Sequence, residues 1–286
     1  MVRRRGLFLF VAFLAACAML GAEDAPQVQV PRRRLTQSLG ASVNNLGLQY
    51  TLDYSLTWPL SASKNPLLSD AHVALGVSPA ATPSHVRLGA WIEVSPLSVV
   101  DLRVGVEPIY YFGTFDCLLG FSGYDAPFDG DTRHARGSEA SAAFGGRIFA
   151  APTLKMRAGH FIAAAHAEFE WWKADVAGPF FYEPARDTLL RASGDRMVQT
   201  TGLLVREQPL RAGTLTYGVI HELTYVYDAP ANRSQRLGAV VARQFEGRPF
   251  GLSRPRVGLR VSYYLDDPYK KGQLSAALGI VFGLHD

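Results

Sequence analysis

The chain has 286 residues, 48% of them hydrophobic and 19% charged, with a formal net charge of +4. Three of its positive charges, Arg3, Arg4 and Arg5, sit in the first six residues, and without them the charge falls from +4 to +1. So even a balance excludes a nucleic-acid partner recruited by bulk charge. The basic run Arg32–Arg34 is read as a solvated segment. The only cysteines, Cys17 and Cys117, exclude a disulfide framework.

In chain order, "MVRRRG" supplies a cationic start, "LFLFVAFLAACAML" a short apolar core and "LGA" a small-residue cleavage site ending at Ala22. This is the pattern of a secretory signal peptide over residues 1–22. A competing reading rests on "LAAC" at Leu14–Cys17, which resembles the lipobox of bacterial lipoproteins and implies lipidation of Cys17. Residues 23–34 then form an N-terminal periplasmic segment, and 35–286 the folded body. No later stretch reaches the roughly 20 apolar residues that a membrane helix requires. A mature chain that spans a membrane must therefore do so as a closed barrel.

The body alternates with a period of two. In "LGLQYTLDYSLTWPL" the even positions from Leu46 to Leu60 are apolar or aromatic, and Gln49, Thr51, Asp53, Ser55 and Thr57 lie between them. A tilted membrane strand needs about 9 to 11 residues, whereas soluble strands average five or six. The same code recurs over 85–95, 98–112 and 255–266. It is weaker over 71–78 and 138–151, and nearly absent over 196–208 and 235–245, which are assigned as strands by position. "GHFIAAAHAEFEWW" at 159–172 resolves in the same way: a helix scatters its histidines and glutamates. A strand puts His160, His166, Glu168 and Glu170 on one face and Phe161, Phe169 and Trp171 on an apolar other face.

The predicted strands are 35–43, 46–60, 71–79, 85–95, 98–112, 138–151, 154–174, 196–208, 212–228, 235–246, 255–266 and 272–284. The expected fold is all-β: a transmembrane antiparallel up-and-down β-barrel of about twelve strands, with ten or eight as alternatives. "SPLS", "AAPT" and "EQPLRAG" are read as short periplasmic turns, and 113–137 and 176–195 as long external loops. The closing "QLSAALGIVFGLHD" resembles the C-terminal strand of bacterial outer-membrane barrels, which their assembly machinery recognises. It departs from that pattern in ending on His285 and Asp286 rather than on an aromatic residue. The resemblance implies an outer-membrane location, with membrane lipid and the assembly machinery as partners.

The polar faces place Asp53, Arg87, Glu93, Asp101, Arg103, Glu107, Arg147, His160, His166, Glu168, Glu170 and Arg260 in the lumen, together with Glu139, Glu222 and Asp266. Charges of both signs there either pair across a plugged interior or line water. Alternate residues of a strand lie about 7 Å apart, so His166 and Glu168 make a poor metal pair, and no metal or other cofactor is expected. Neither "GFSGY" nor "HELTY" completes a catalytic motif, and Asp125, Asp129 and Asp131 lack the order of a calcium loop. The parity of His221 turns it outward. The reading is a non-enzymatic, porin-like channel for small solutes. The alternatives are a surface barrel presenting 113–137 and 176–195 to an extracellular ligand, and an outer-membrane hydrolase.

Overall fold

Side chains on a strand point alternately to opposite faces, so a long alternating segment can close into a wall with an apolar outside and a polar inside. The computed structural model describes residues 30–44, 46–115, 119–249 and 252–283, and twelve strands form that wall. They are β1 (Arg32–Val43), β2 (Gly47–Pro59), β3 (His72–Ala81), β4 (His85–Leu97), β5 (Val100–Tyr111), β7 (Ala143–Ala158), β8 (Phe161–Ala174), β11 (Asp195–Leu210), β12 (Gly213–Val226), β13 (Ala229–Phe245), β14 (Ser253–Asp266) and β15 (Leu274–Gly283). Each pairs antiparallel with the next, and β1 closes the ring on β15, Thr36 lying opposite Gly283. The wall strands run from 10 to 17 residues, long enough to cross a hydrocarbon layer.

The faces sort as the alternation predicts. Leu48, Leu88, Val106, Leu259 and Leu278 are exposed on the outside, while Ser55, Glu107, Arg147 and Glu222 are buried within. Among the described residues no helix is long and apolar enough to cross a membrane.

One pair of predicted boundaries is corrected. "AAPT" was expected to turn the chain, but β7 runs through Pro152 and the turn falls at Gly159–His160. Pro152 faces outward opposite Leu102, and a proline is tolerated in a strand where its missing N–H is not required. Gly159, at φ 59°, supplies the left-handed residue that a tight hairpin needs. At the front, Arg32–Arg34 belong to β1 rather than to a preceding segment. The signal-peptide and lipobox readings of residues 1–22, most of the segment 23–34, Asp116, Cys117, His285 and Asp286 lie outside the described residues.

The two ends of the barrel differ. One end carries the turns 98–99, 159–160 and 211–212 and the longer 60–71 and 246–252. At the other, the 112–142 and 175–194 connections fold together. They form a three-stranded sheet in the order β10 (Thr188–Arg191), β9 (Phe180–Glu183), β6 (Gly120–Phe121), with helix α1 (Gly130–Ala135) and a 3-10 turn (Gly137–Glu139). Asp129 starts α1 by accepting the Thr132 amide at 2.9 Å, and the Thr132 hydroxyl and amide together hold the Asp129 carboxyl below its usual range.

Candidate functional site: a charged lumen under a folded plug

The β9–β10 hairpin is the centre of the site. Phe181, Leu189 and Leu190 are fully buried, packing in part on Ile109, Tyr111, Trp172, Met197 and Val226 of the inner wall. A second apolar cluster of Leu119, Phe121, Phe128, Tyr182 and Leu189 ties the two loops to each other. The plug is also fastened to the rim. Tyr124 donates to Asp195 at 2.7 Å, Asn232 donates to the Tyr124 carbonyl at 3.1 Å, and Lys270 of the 267–273 loop pairs with Asp187. Burial, then the bond to Asp195, raises the pKa of Tyr124, so it stays a donor.

The hairpin tip, Glu183 to Thr188, reaches into the lumen. Arg186 donates to Glu168 at 2.7 Å and also to Glu170, both on the inner face of β8. Those carboxylates are shared with Arg147 of β7, whose Nε donates to Glu107 of β5 at 2.7 Å. Arg87 of β4 stands 3.7 Å from the same Glu107. Three arginines and three glutamates thus form one continuous network across β4, β5, β7, β8 and the plug. Arg147 is 5% exposed and Glu170 fully buried, so every charge here depends on its partners. Burial opposes the charge on Arg186, but Glu170 and Glu168 more than offset it and its pKa is raised. Glu183 behaves differently. Burial pushes its pKa up, against the pull of the Tyr111 hydroxyl, the Ala185 amide and Arg186.

Toward the turn end the same side of the lumen is looser. Arg103 bonds Glu93 at 2.8 Å and Lys155 bonds Asp101 at 2.7 Å, and both cations are more than a third exposed. His72 approaches Glu93 at 3.3 Å. His166 takes Thr153 at 2.8 Å, with Glu168 at 3.8 Å. Asp53 accepts the Ser78 hydroxyl, which in turn accepts the Trp91 indole N–H. Trp91 lies across Gly76, where an added Cβ would sit 2.2 Å from the ring. Phe149 lies likewise across Gly105. On the far wall Arg260 and Arg236 share the single carboxylate Glu222.

Of the residues selected from sequence, Asp53, Arg87, Glu93, Asp101, Arg103, Glu107, Arg147, His166, Glu168, Glu170 and Arg260 lie on the inner face of the wall. His160 does not: it occupies the exposed turn before β8, because the hairpin falls at Gly159 rather than at "AAPT". Glu139 is also corrected, lying in the 3-10 turn of the plug and paired with Arg136. Asp266 is a rim residue paired with Arg233. His221 faces outward beside Gln235. Sequence reasoning missed Arg186, Glu183, Tyr111, Lys155 and Arg236. The outward alternation of β5 places Tyr111 on the lumenal side, but nothing local marks a loop arginine as a partner of β8. Among the described residues no group of three His, Cys, Asp or Glu side chains is placed to hold a metal ion.

No family model matches the chain, and no curated protein matches it by sequence. It is similar in fold to several solved barrels. The NanC porin shares 9% identity over 88% of this chain and 100% of its own, with a TM-score of 0.41. The β domain of the Bordetella autotransporter BrkA shares 12% identity over 88% and 98%, with a TM-score of 0.43. The translocator domain of the autotransporter NalP from Neisseria meningitidis shares 14% over 97% and 95%, with a TM-score of 0.36.

Proposed function

We propose that the chain is a bacterial outer-membrane β-barrel that passes small solutes through its lumen, with the 112–142 and 175–194 loops as a plug over the outer mouth. The observation that carries this reading is the unequal filling of the lumen. The β4–β8 side is packed with the arginine–glutamate network. On the opposite side Gly40 of β1, Gly279 of β15 and Gly258 of β14 stand abreast on the inner face. A Cβ built on Gly40 or Gly279 would meet nothing nearer than a carbonyl of the adjoining strand at 3.8 Å. Ser38, Ser42, Thr51 and Ala277 continue this small-residue wall. Among the described residues this side of the lumen is lined by small side chains, and we read it as a crescent of bore intermediate between a filled eight-stranded barrel and a wide porin.

The apolar outer surface supports the membrane location, since contiguous exposed hydrophobic area on this scale is stable only against lipid or a partner. The inward packing of Phe181, Leu189 and Leu190 supports a plug over a loop-presenting adhesin, because their apolar surface is spent on the protein's own wall. We read no catalytic role, since the lumenal carboxylates of the network are engaged by arginines. The test is single-channel conductance in planar bilayers for the full chain and for a variant with residues 180–191 replaced by a Gly/Ser linker. The full chain should show brief or small openings and the variant a steady, larger one. Two silent proteins would overturn the channel reading in favour of a surface-binding barrel.

A further inference from the structure

Outward-facing charge is unevenly distributed over this barrel. Among the described residues the outward positions of β2, β3, β4, β5, β7 and β15 carry none. At the turn end, however, Arg206 of β11 and Arg243 of β13 both point outward and are exposed. They flank β12 diagonally: Arg206 is opposite Tyr217, and Arg243 is opposite Leu215, one outward position further toward the turn. Each guanidinium lies by an aromatic ring outside β12, Arg206 at 5.9 Å from Phe161 of β8 and Arg243 at 4.7 Å from Phe245 of its own strand, so a shared anion would draw both side chains inward over β12. No carboxylate among the described residues pairs with either. Strands two apart are separated by about 10 Å, a gap that two arginine side chains can close over Leu215 and Tyr217. Two cations without a carboxylate partner at the border of an apolar surface are best satisfied by an anion between them, and a phosphate accepts bidentate bonds from both. Above the pair, Leu204, Val219 and Val241 are exposed apolar side chains on the same sheet face, suited to acyl chains.

We propose that Arg206 and Arg243 form a binding site for the phosphate of an anionic glycerophospholipid in the periplasmic leaflet, with Tyr217 and Leu215 as its floor. This rests on the membrane reading above but not on the channel reading. The site sits at the end away from the plug, on the side of the wall opposite β2 to β5.

The test is native mass spectrometry of the full chain taken up in a mixture of phosphatidylglycerol and phosphatidylcholine with matched acyl chains. Each arginine near the lipid phosphate should favour the anionic lipid about fivefold. The wild type should therefore retain phosphatidylglycerol in clear excess, and R206Q/R243Q should retain the two lipids equally. R206K/R243K, which keeps the charge but not the bidentate geometry, should fall between them. Equal retention by the wild type, or an undiminished excess in R206Q/R243Q, would overturn the site. Displacement of the lipid by millimolar inorganic phosphate would overturn the lipid assignment in favour of a free-anion site. The variants should insert into lipid as the wild type does. A wild type that does not insert at all would instead refute the membrane reading, so the two failures are distinguishable.

Discussion

Arg186 and Glu168 meet at 2.7 Å although one belongs to a loop hairpin and the other to the wall, so the plug is held by charge as well as by apolar packing. Glu168 and Glu170 each serve two arginines, one from the wall and one from the hairpin. They are structural partners first, and any influence on ion flow passes through the plug.

Replacing both with glutamine should therefore lower stability more than it alters ion preference. Arg147 and Arg186 would lose most of their counter-charge in a nearly closed space, a loss on the order of 3 to 5 kcal/mol. The urea midpoint in vesicles, followed by the gel-mobility shift of the unfolded barrel, measures the first effect, and the reversal potential in a salt gradient measures the second. A large shift toward anions with an unchanged midpoint would assign these residues to the pore lining.

Plug closure should depend on pH through Glu183. Its pKa in the folded plug is raised above the usual 4.5 by burial, so the neutral carboxyl is the form the closed plug prefers. Closure is then strongest below about pH 4.5 and weakens as pH rises through the raised value, where a buried carboxylate must be tolerated. Open probability recorded between about pH 4 and pH 8 should rise with pH in the wild type. Glu183→Gln should stay closed and flat across that range. A wild-type trace without pH dependence would show that Glu183 does not control closure.

Single cysteines at Leu48, Leu52 and Leu56 face outward and should be shielded from a membrane-impermeant thiol reagent in the inserted protein. Those at Gln49 and Thr51 face the lumen and should label from the turn end. Labelling of the first set with protection of the second would reverse the inside-out assignment.

Gly76→Ala should cost about 1 to 3 kcal/mol, because its methyl group would enter the space of the Trp91 ring. In a Trp91→Ala background the same substitution should be nearly silent. A double-mutant cycle by urea unfolding measures the coupling, and additive costs would show that the ring is not what excludes the side chain.

How much of this was legible in the sequence depends on what each strand faces. β2, β4 and β5 carry an apolar outer face and a polar inner one, so their two faces differ in chemistry and the alternation is plain. β11 does not alternate because its inner residues Met197 and Val205 are buried in the lumen, Met197 against the plug, while Arg196, Gly202 and Arg206 lie outside. Apolar residues on the inner face and charged or glycine residues on the outer one cancel the period. In β13 the inner Gly238 and Ala242 give the pattern little contrast. The turn near Pro152 was misplaced because proline usually signals a break, and an outward position in a strand removes that penalty. The network was half visible: parity put Glu107, Arg147, Glu168 and Glu170 on one face. Arg186 stayed hidden because its role depends on how a twenty-residue loop folds back, which no local period records.

The pairing of β1 with β15 makes the seam indistinguishable from the other strand junctions: it is an antiparallel ladder of the same kind. Both strands reach it at the turn end, with Thr36 beside Gly283. Where the wall is cut is then a matter of chain order and not of architecture. A circularly permuted chain, linked across that junction and opened at the two-residue turn 211–212, would have the same ring of neighbours and the same plug, with β12 as its new first strand and β11 as its new last.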